Sequence, residues 1–147
     1  MANIVIDSSV LADMLFSHRP RHSQAKRIYD FIKEENFEVL FPMHAHFEII
    51  SAARMEKNQV GQPLELMESF DADSSINLKP IPIDTEFVNS YFPQQLIELK
   101  AGDMIFVGIA LKEKCPLITE DNQMYREAQK LQIDVNKVGE FIEKYID

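Results

Sequence analysis

The chain has one cysteine, no tryptophan and four glycines, and acidic side chains outnumber basic ones by 24 to 15. Each shortage excludes something. A lone Cys115 forms no internal disulfide and builds no zinc set, and it suits a reducing cytoplasm. With so little glycine there is no phosphate-cradling loop; neither a GxGxxG fingerprint nor a GK[ST] loop occurs. The longest apolar run, Met104 to Leu111, falls far short of the ~20 residues that span a bilayer, so no membrane partner is expected. The start, MANIVIDSS, has neither the basic region nor the small-residue cleavage site of a signal peptide. A net charge of −9 disfavours a simple nucleic-acid-binding module, because phosphates are repelled. It counts less against a nuclease, whose carboxylates are neutralised by metal ions and whose basic residues are concentrated locally. The segment His18–Tyr29 holds Arg19, Arg21, Lys26 and Arg27 with no acid, and is the most basic stretch. It is a candidate RNA contact, weighed against an ordinary solvated face.

At 147 residues one domain, 1–147, is expected. Asn3–Ile6, Phe37–Phe41 and Pro116–Thr119 read as buried strands, and Val135–Val138 as a short last one. Ile76–Ile83 is extended, but its prolines place it at a sheet edge or outside. Helical periodicity covers Val10–Phe16, Arg21–Glu35, Met43–Lys57, Leu64–Phe70, Asp84–Lys100 with a break near Pro93, Gly102–Glu113, Asn122–Leu131 and Glu140–Ile146. This alternation predicts an α/β fold with a mostly parallel sheet and helices on both faces. In such folds sites gather beyond the carboxyl ends of the strands.

Four acids stand there. Asp7 ends the first strand, Asp121 lies two residues past Pro116–Thr119, Glu48 is near the start of the helix after the second strand, and Asp103 opens the apolar helix Gly102–Glu113. Asp7 and Asp121 could instead cap helices, and Asp103 could simply favour a helix dipole. Glu48 sits inside FEII among small residues, and Asp103 shares a face with Phe106, Val107 and Ala110. Carboxylates on apolar faces are costly unless paired or metal-bound. An all-oxygen set without His or Cys selects Mg²⁺ or Mn²⁺, ions that acidify bound water and shield a phosphodiester during in-line attack. His44, four residues before Glu48, is read as a loop or capping histidine in preference to a ligand.

Asp7 with Ser8-Ser9 behind it, Glu48 in a helix, and GDMIFVGIALKEKCPLITEDNQMY carrying Asp103, Thr119 and Asp121 together resemble a PIN domain, and within that family the VapC-type toxins. The likeness runs from Asp7 to the final helix. It implies a three-layer α/β sandwich and a Mg²⁺- or Mn²⁺-dependent endoribonuclease that cleaves RNA with metal-activated water. It also implies a homodimer and an antitoxin partner. By position Asp7, Glu48 and Asp103 match the three core acids and Asp121 the fourth, with Glu120 beside it as the other choice; Ser9 and Thr119 match supporting polar residues. The competing functions are a catalytically silent PIN-like interaction or RNA-scaffold module and a housekeeping nuclease with no antitoxin.

Overall fold

The computed structural model describes residues 2–56, 68–91 and 98–147. The first strand, β1 (Asn3–Ile6), is short and β-branched, and three of its four residues are buried. Helices α1 (Ser8–Leu15) and α2 (His22–Glu34) follow. Asn36, at φ 55°, turns the chain into β2 (Glu38–Pro42); asparagine is among the few residues that tolerate this left-handed conformation. Next come α3 (His44–Met55), β3 (Asn77–Ile81), α4 (Thr85–Tyr91), α5 (Ala101–Glu113), β4 (Leu117–Ile118), α6 (Asn122–Lys130), β5 (Val135–Asn136) and α7 (Val138–Phe141), the last running into a π-helical turn, Ile142–Ile146.

The α/β sandwich expected from the sequence is what forms. Five strands make one sheet in the order β3-β2-β1-β4-β5, and every neighbouring pair is parallel. The prolines of Ile76–Ile83 place it either at a sheet edge or outside the sheet. It contributes β3, the edge strand, over Asn77–Ile81. Met43 N–H donates to the Ile81 carbonyl at 2.9 Å, so Ile81 faces β2. Alternation along the strand then turns Pro80 to the open side, where its missing N–H weakens the edge as a template for another strand. The predicted helix Leu64–Phe70 lies partly outside the described residues, as does the region around Pro93; residues 68–70 are helical.

Helix α5 is the apolar spine. Phe106, Val107, Ile109 and Ala110 are buried, and the helix packs on β1, β2 and β4. Lys114, at φ 51°, ends it in a left-handed cap that leads through Cys115 and Pro116 into β4. The chain moves outward from β1 through β2 to β3, then returns to place β4 on the other side of β1. The strand order therefore reverses between β1 and β4, and the crevice beyond their carboxyl ends is where this architecture places ligands.

Candidate active site

Asp7 leaves β1 at that crevice and is almost fully buried. It occupies the N-cap position of α1, yet its side chain makes no capping bond. Thr119 Oγ1 donates to Asp7 Oδ2 at 2.9 Å and Ser9 Oγ donates to the same oxygen at 3.1 Å. Thr119 is wholly buried at the end of β4, and its Oγ1 also accepts the Asp121 N–H at 3.0 Å. One hydroxyl thus ties the two strand ends together. The simple helix-cap reading of Asp7 falls away, because its carboxylate is spent on hydroxyls across the switch point.

Glu48, in α3, accepts from Ser8 Oγ at 3.0 Å. His44 Nε2 lies 3.0 Å from the same oxygen, Oε1, but off the alignment of a full hydrogen bond; its ring packs on Phe106 at 5.0 Å between centroids. The nearness of His44 and the Ser8 bond hold the Glu48 carboxyl below its ordinary range against the cost of burial. Asp103 stands in the first turn of α5. Asp121 caps α6, its Oδ1 accepting from Met124 N–H at 2.8 Å, so the capping reading is correct for this residue as far as it goes.

The four acids feel one another. Burial pushes the Asp103 carboxyl up to about 6, and repulsion from Asp121, Asp7 and Glu48 adds to it, with Lys100 opposing. Burial also raises Asp7; the Thr119 and Ser9 bonds pull it back, and Glu48 and Asp121 push further up. Four carboxylates from four different elements therefore share one field.

Their donors are hard oxygens, the chemistry that Mg²⁺ or Mn²⁺ takes. Among the described residues no three His, Cys, Asp or Glu side chains yet stand at the spacing of a closed metal site. The reason is visible: Glu48 leans to Ser8 and His44, and Asp121 leans to its own helix. A side-chain rotation would exchange these contacts for an ion.

A stability prediction follows from Asp103. A carboxyl whose pKa is raised by folding binds more protons in the folded than in the unfolded chain between about pH 4 and 6. Stability from this group therefore falls as pH rises through that window. In EDTA at pH 7 the Asp103→Asn chain should be more stable than wild type, by about 1–2 kcal/mol after allowance for solvent screening. Thermal melts of both chains across this range should show the gap closing near pH 4.

The four basic residues do not act as a free patch. Arg19 donates to Glu56 Oε2 at 2.7 Å and to the buried Asp13 at 3.3 Å. Arg21 Nε donates to Asp13 at 2.9 Å, and Lys26 and Arg27 pair with Asp30 and Asp147 at 2.5 and 2.7 Å. The Asp30 and Asp147 pairs lie along α2 and at the C-terminus; Arg19 joins α1 to the end of α3, and Arg21, bound to α1, comes within 4.0 Å of Glu120. Ser8 and Asp13 were not singled out from the sequence. Asp13, a carboxylate within the apolar SSVLADML, was the available signal for a buried charge partner. Two clefts of about 310 and 610 Å³ lie elsewhere, one between β3 and α4 and one beside Cys115 at the amino ends of β4 and β5.

The family model for the PIN domain matches residues 4–130, and the chain belongs to the PIN domain family. No curated protein sequence matches it. Solved structures of similar fold include VapBC2 from Rickettsia felis bound to a DNA fragment from their promoter. There the identity is 11%, the match covers 92% of this chain and 98% of that one, and the TM-score is 0.65. A toxin–antitoxin complex from Klebsiella pneumoniae matches at 21% identity over 83% of this chain and 89% of that one, with a TM-score of 0.53. FitAB bound to an IR36 DNA fragment matches at 14% identity over 92% and 94%, with a TM-score of 0.56.

Proposed function

We propose that this chain is a Mg²⁺- or Mn²⁺-dependent endoribonuclease and the toxin of a type II toxin–antitoxin pair, working in the cytoplasm as a homodimer. The observation that carries the nuclease reading is the gathering of acids at the β1/β4 switch point. Thr119 ties Asp7 to the Asp121 backbone, and Glu48 reaches the start of α5 beside Asp103, where the neighbouring carboxylates add to the cost of charging Asp7 and Asp103. Such a cluster is unfavourable by itself and becomes favourable with a divalent cation. Asp7, Asp103 and Glu48 would hold the ion, with Asp121 its more distant support. The ion supplies charge shielding for the phosphodiester and a more acidic water. Thr119 and Ser9 keep Asp7 Oδ2 fixed, so the carboxylate presents its other oxygen without losing its orientation. Asp103, pushed up to about 6 without metal, must lose its proton to take the ion, so metal affinity should weaken as pH falls through about 6.

The toxin reading is supported by the fold shared with chains of three complexes, two of them named as toxin–antitoxin or VapBC assemblies. An antitoxin would place a basic side chain, Arg above all, among the four acids and exclude the cation. Induced expression of the chain alone should slow growth, and co-expression with its companion should restore it. Cleavage of RNA by the pure chain without any growth effect would retain the nuclease and reject the toxin.

A further inference from the structure

One carboxylate beside the acid cluster is placed differently from the four. Glu120 follows Thr119 and precedes Asp121, and its partly buried carboxylate lies between two cations: its Oε1 is 4.0 Å from Arg21 Nε and its Oε2 is 4.0 Å from Lys137 Nζ. Both separations exceed hydrogen-bond length, so Glu120 balances the charge of each cation without saturating either.

Both cations are held from behind. Arg21 Nε donates to Asp13, which is buried in α1, at 2.9 Å. Among the described residues the hydrogen bond that Arg21 makes to a carboxylate runs from Nε, and about half of its side chain is exposed. With Nε bound to Asp13 and no Nη hydrogen bond formed among the described residues, the Nη end is open to a ligand. Lys137, at the N-cap of α7, donates to the Glu120 carbonyl at 2.9 Å and to Asn122 Oδ1 at 2.7 Å. The ammonium also lies 5.0 Å from the Tyr125 ring centroid, and about a quarter of the side chain is exposed; of its three donors, two are used in these hydrogen bonds. The other members of the basic stretch differ: Arg19 is clasped by Glu56 and Asp13, and Arg27 by Asp147 far along the chain.

We propose that Arg21 and Lys137 form a phosphate-binding pair flanking the acid cluster, which receives a backbone phosphate next to the scissile one, with Glu120 as the carboxylate that the phosphate displaces. The proposal rests on the ribonuclease reading and deepens it by locating where the strand runs. Two non-bridging phosphate oxygens replace two carboxylate oxygens between the same two cations. The exchange explains how a chain of net charge −9 admits RNA: the positive charge needed is local, and its resident counter-charge is a side chain free to swing away. Because phosphate contacts position the strand and carry no sequence information, Arg21 and Lys137 act as positioning residues.

The test is RNA binding read apart from cleavage. A fluorescein-labelled single-stranded oligoribonucleotide is titrated by anisotropy against the Asp7→Asn chain in EDTA, from about 50 to about 200 mM salt. Adding Arg21→Gln or Lys137→Gln should weaken binding about tenfold at low salt and lower the salt slope by about one. Adding Arg27→Gln should change neither. Adding Glu120→Gln should tighten binding several-fold, a gain that a damaged fold does not produce. An unchanged salt slope in Arg21→Gln and Lys137→Gln, an equal loss in Arg27→Gln, or no gain in Glu120→Gln would overturn the pair. A wild-type chain that shows this binding pattern and cleaves no RNA with Mn²⁺ would reject the ribonuclease reading and leave the pair standing.

Discussion

Asp7→Asn, Glu48→Gln and Asp103→Asn should each reduce RNA cleavage by roughly a hundredfold or more, and any two together should be little worse than one. The expectation comes from the shared field. Burial raises Asp103 and Asp7 first, and the neighbouring carboxylates raise both further, so neither has an environment independent of the other acids. Groups that complete one ion-binding shell lose function as a unit, and the second loss removes what the first has already disabled. Asp121→Asn should be milder. Its Oδ1 is occupied at the start of α6, and an amide oxygen accepts the Met124 N–H as a carboxylate does, so the fold survives and part of the site remains. Single-turnover rates on one oligoribonucleotide, with melting curves to show each variant folded, check the pattern. Multiplicative losses in the double variants would mean that the acids act separately.

Removing divalent metal should have an effect as large. EDTA should reduce wild-type cleavage to background, and added Mn²⁺ or Mg²⁺ should restore it. Metal should also stabilise the fold, because the ion cancels repulsion that burial has made costly. The melting midpoint should rise with Mn²⁺ in wild type and rise much less in Asp103→Asn, whose repulsion is already relieved. The two chains should therefore reverse order: Asp103→Asn the more stable in EDTA, with wild type gaining on it as metal is added. A variant that gained as much from Mn²⁺ as wild type would place Asp103 outside the ion's shell.

Much of this arrangement was legible in the sequence because strand ends carry it. The β-branched run Asn3–Ile6 fixed β1, and the apolar run after Asp103 fixed the buried helix, so Asp7 and Asp103 had only one end of the sheet to share. Thr119 and Ser9 were legible as supports of the acids, and both donate to Asp7. What did not show was partner choice among charges. The stretch from Arg19 to Arg27 read as one basic patch, yet its partners Asp13, Glu56, Asp30 and Asp147 come from α1, the end of α3, α2 itself and the C-terminus. Pairings across such separations depend on how elements dock, which periodicity does not encode. The same reason hid Lys137, which reaches Glu120 and Asn122 from the turn after β5. The edge position was one of the two readings of Ile76–Ile83, and Pro80 within β3 and Pro82 just past it are why the sequence left the choice open.

The central claim is that RNA is cut by water under the control of these four acids, and the ends of the cleavage products test it most directly. Water as the nucleophile leaves a 5′-phosphate on one fragment and a 3′-hydroxyl on the other. Attack by the ribose 2′-hydroxyl, with a histidine as base and no metal, leaves a 2′,3′-cyclic phosphate instead. A defined oligoribonucleotide should be cleaved by the pure chain in Mn²⁺ and its fragments weighed by mass spectrometry, beside the same reaction in EDTA. The account predicts 5′-phosphate and 3′-hydroxyl ends in Mn²⁺ and intact RNA in EDTA. Cyclic phosphate ends, or cleavage that persists in EDTA, would contradict it.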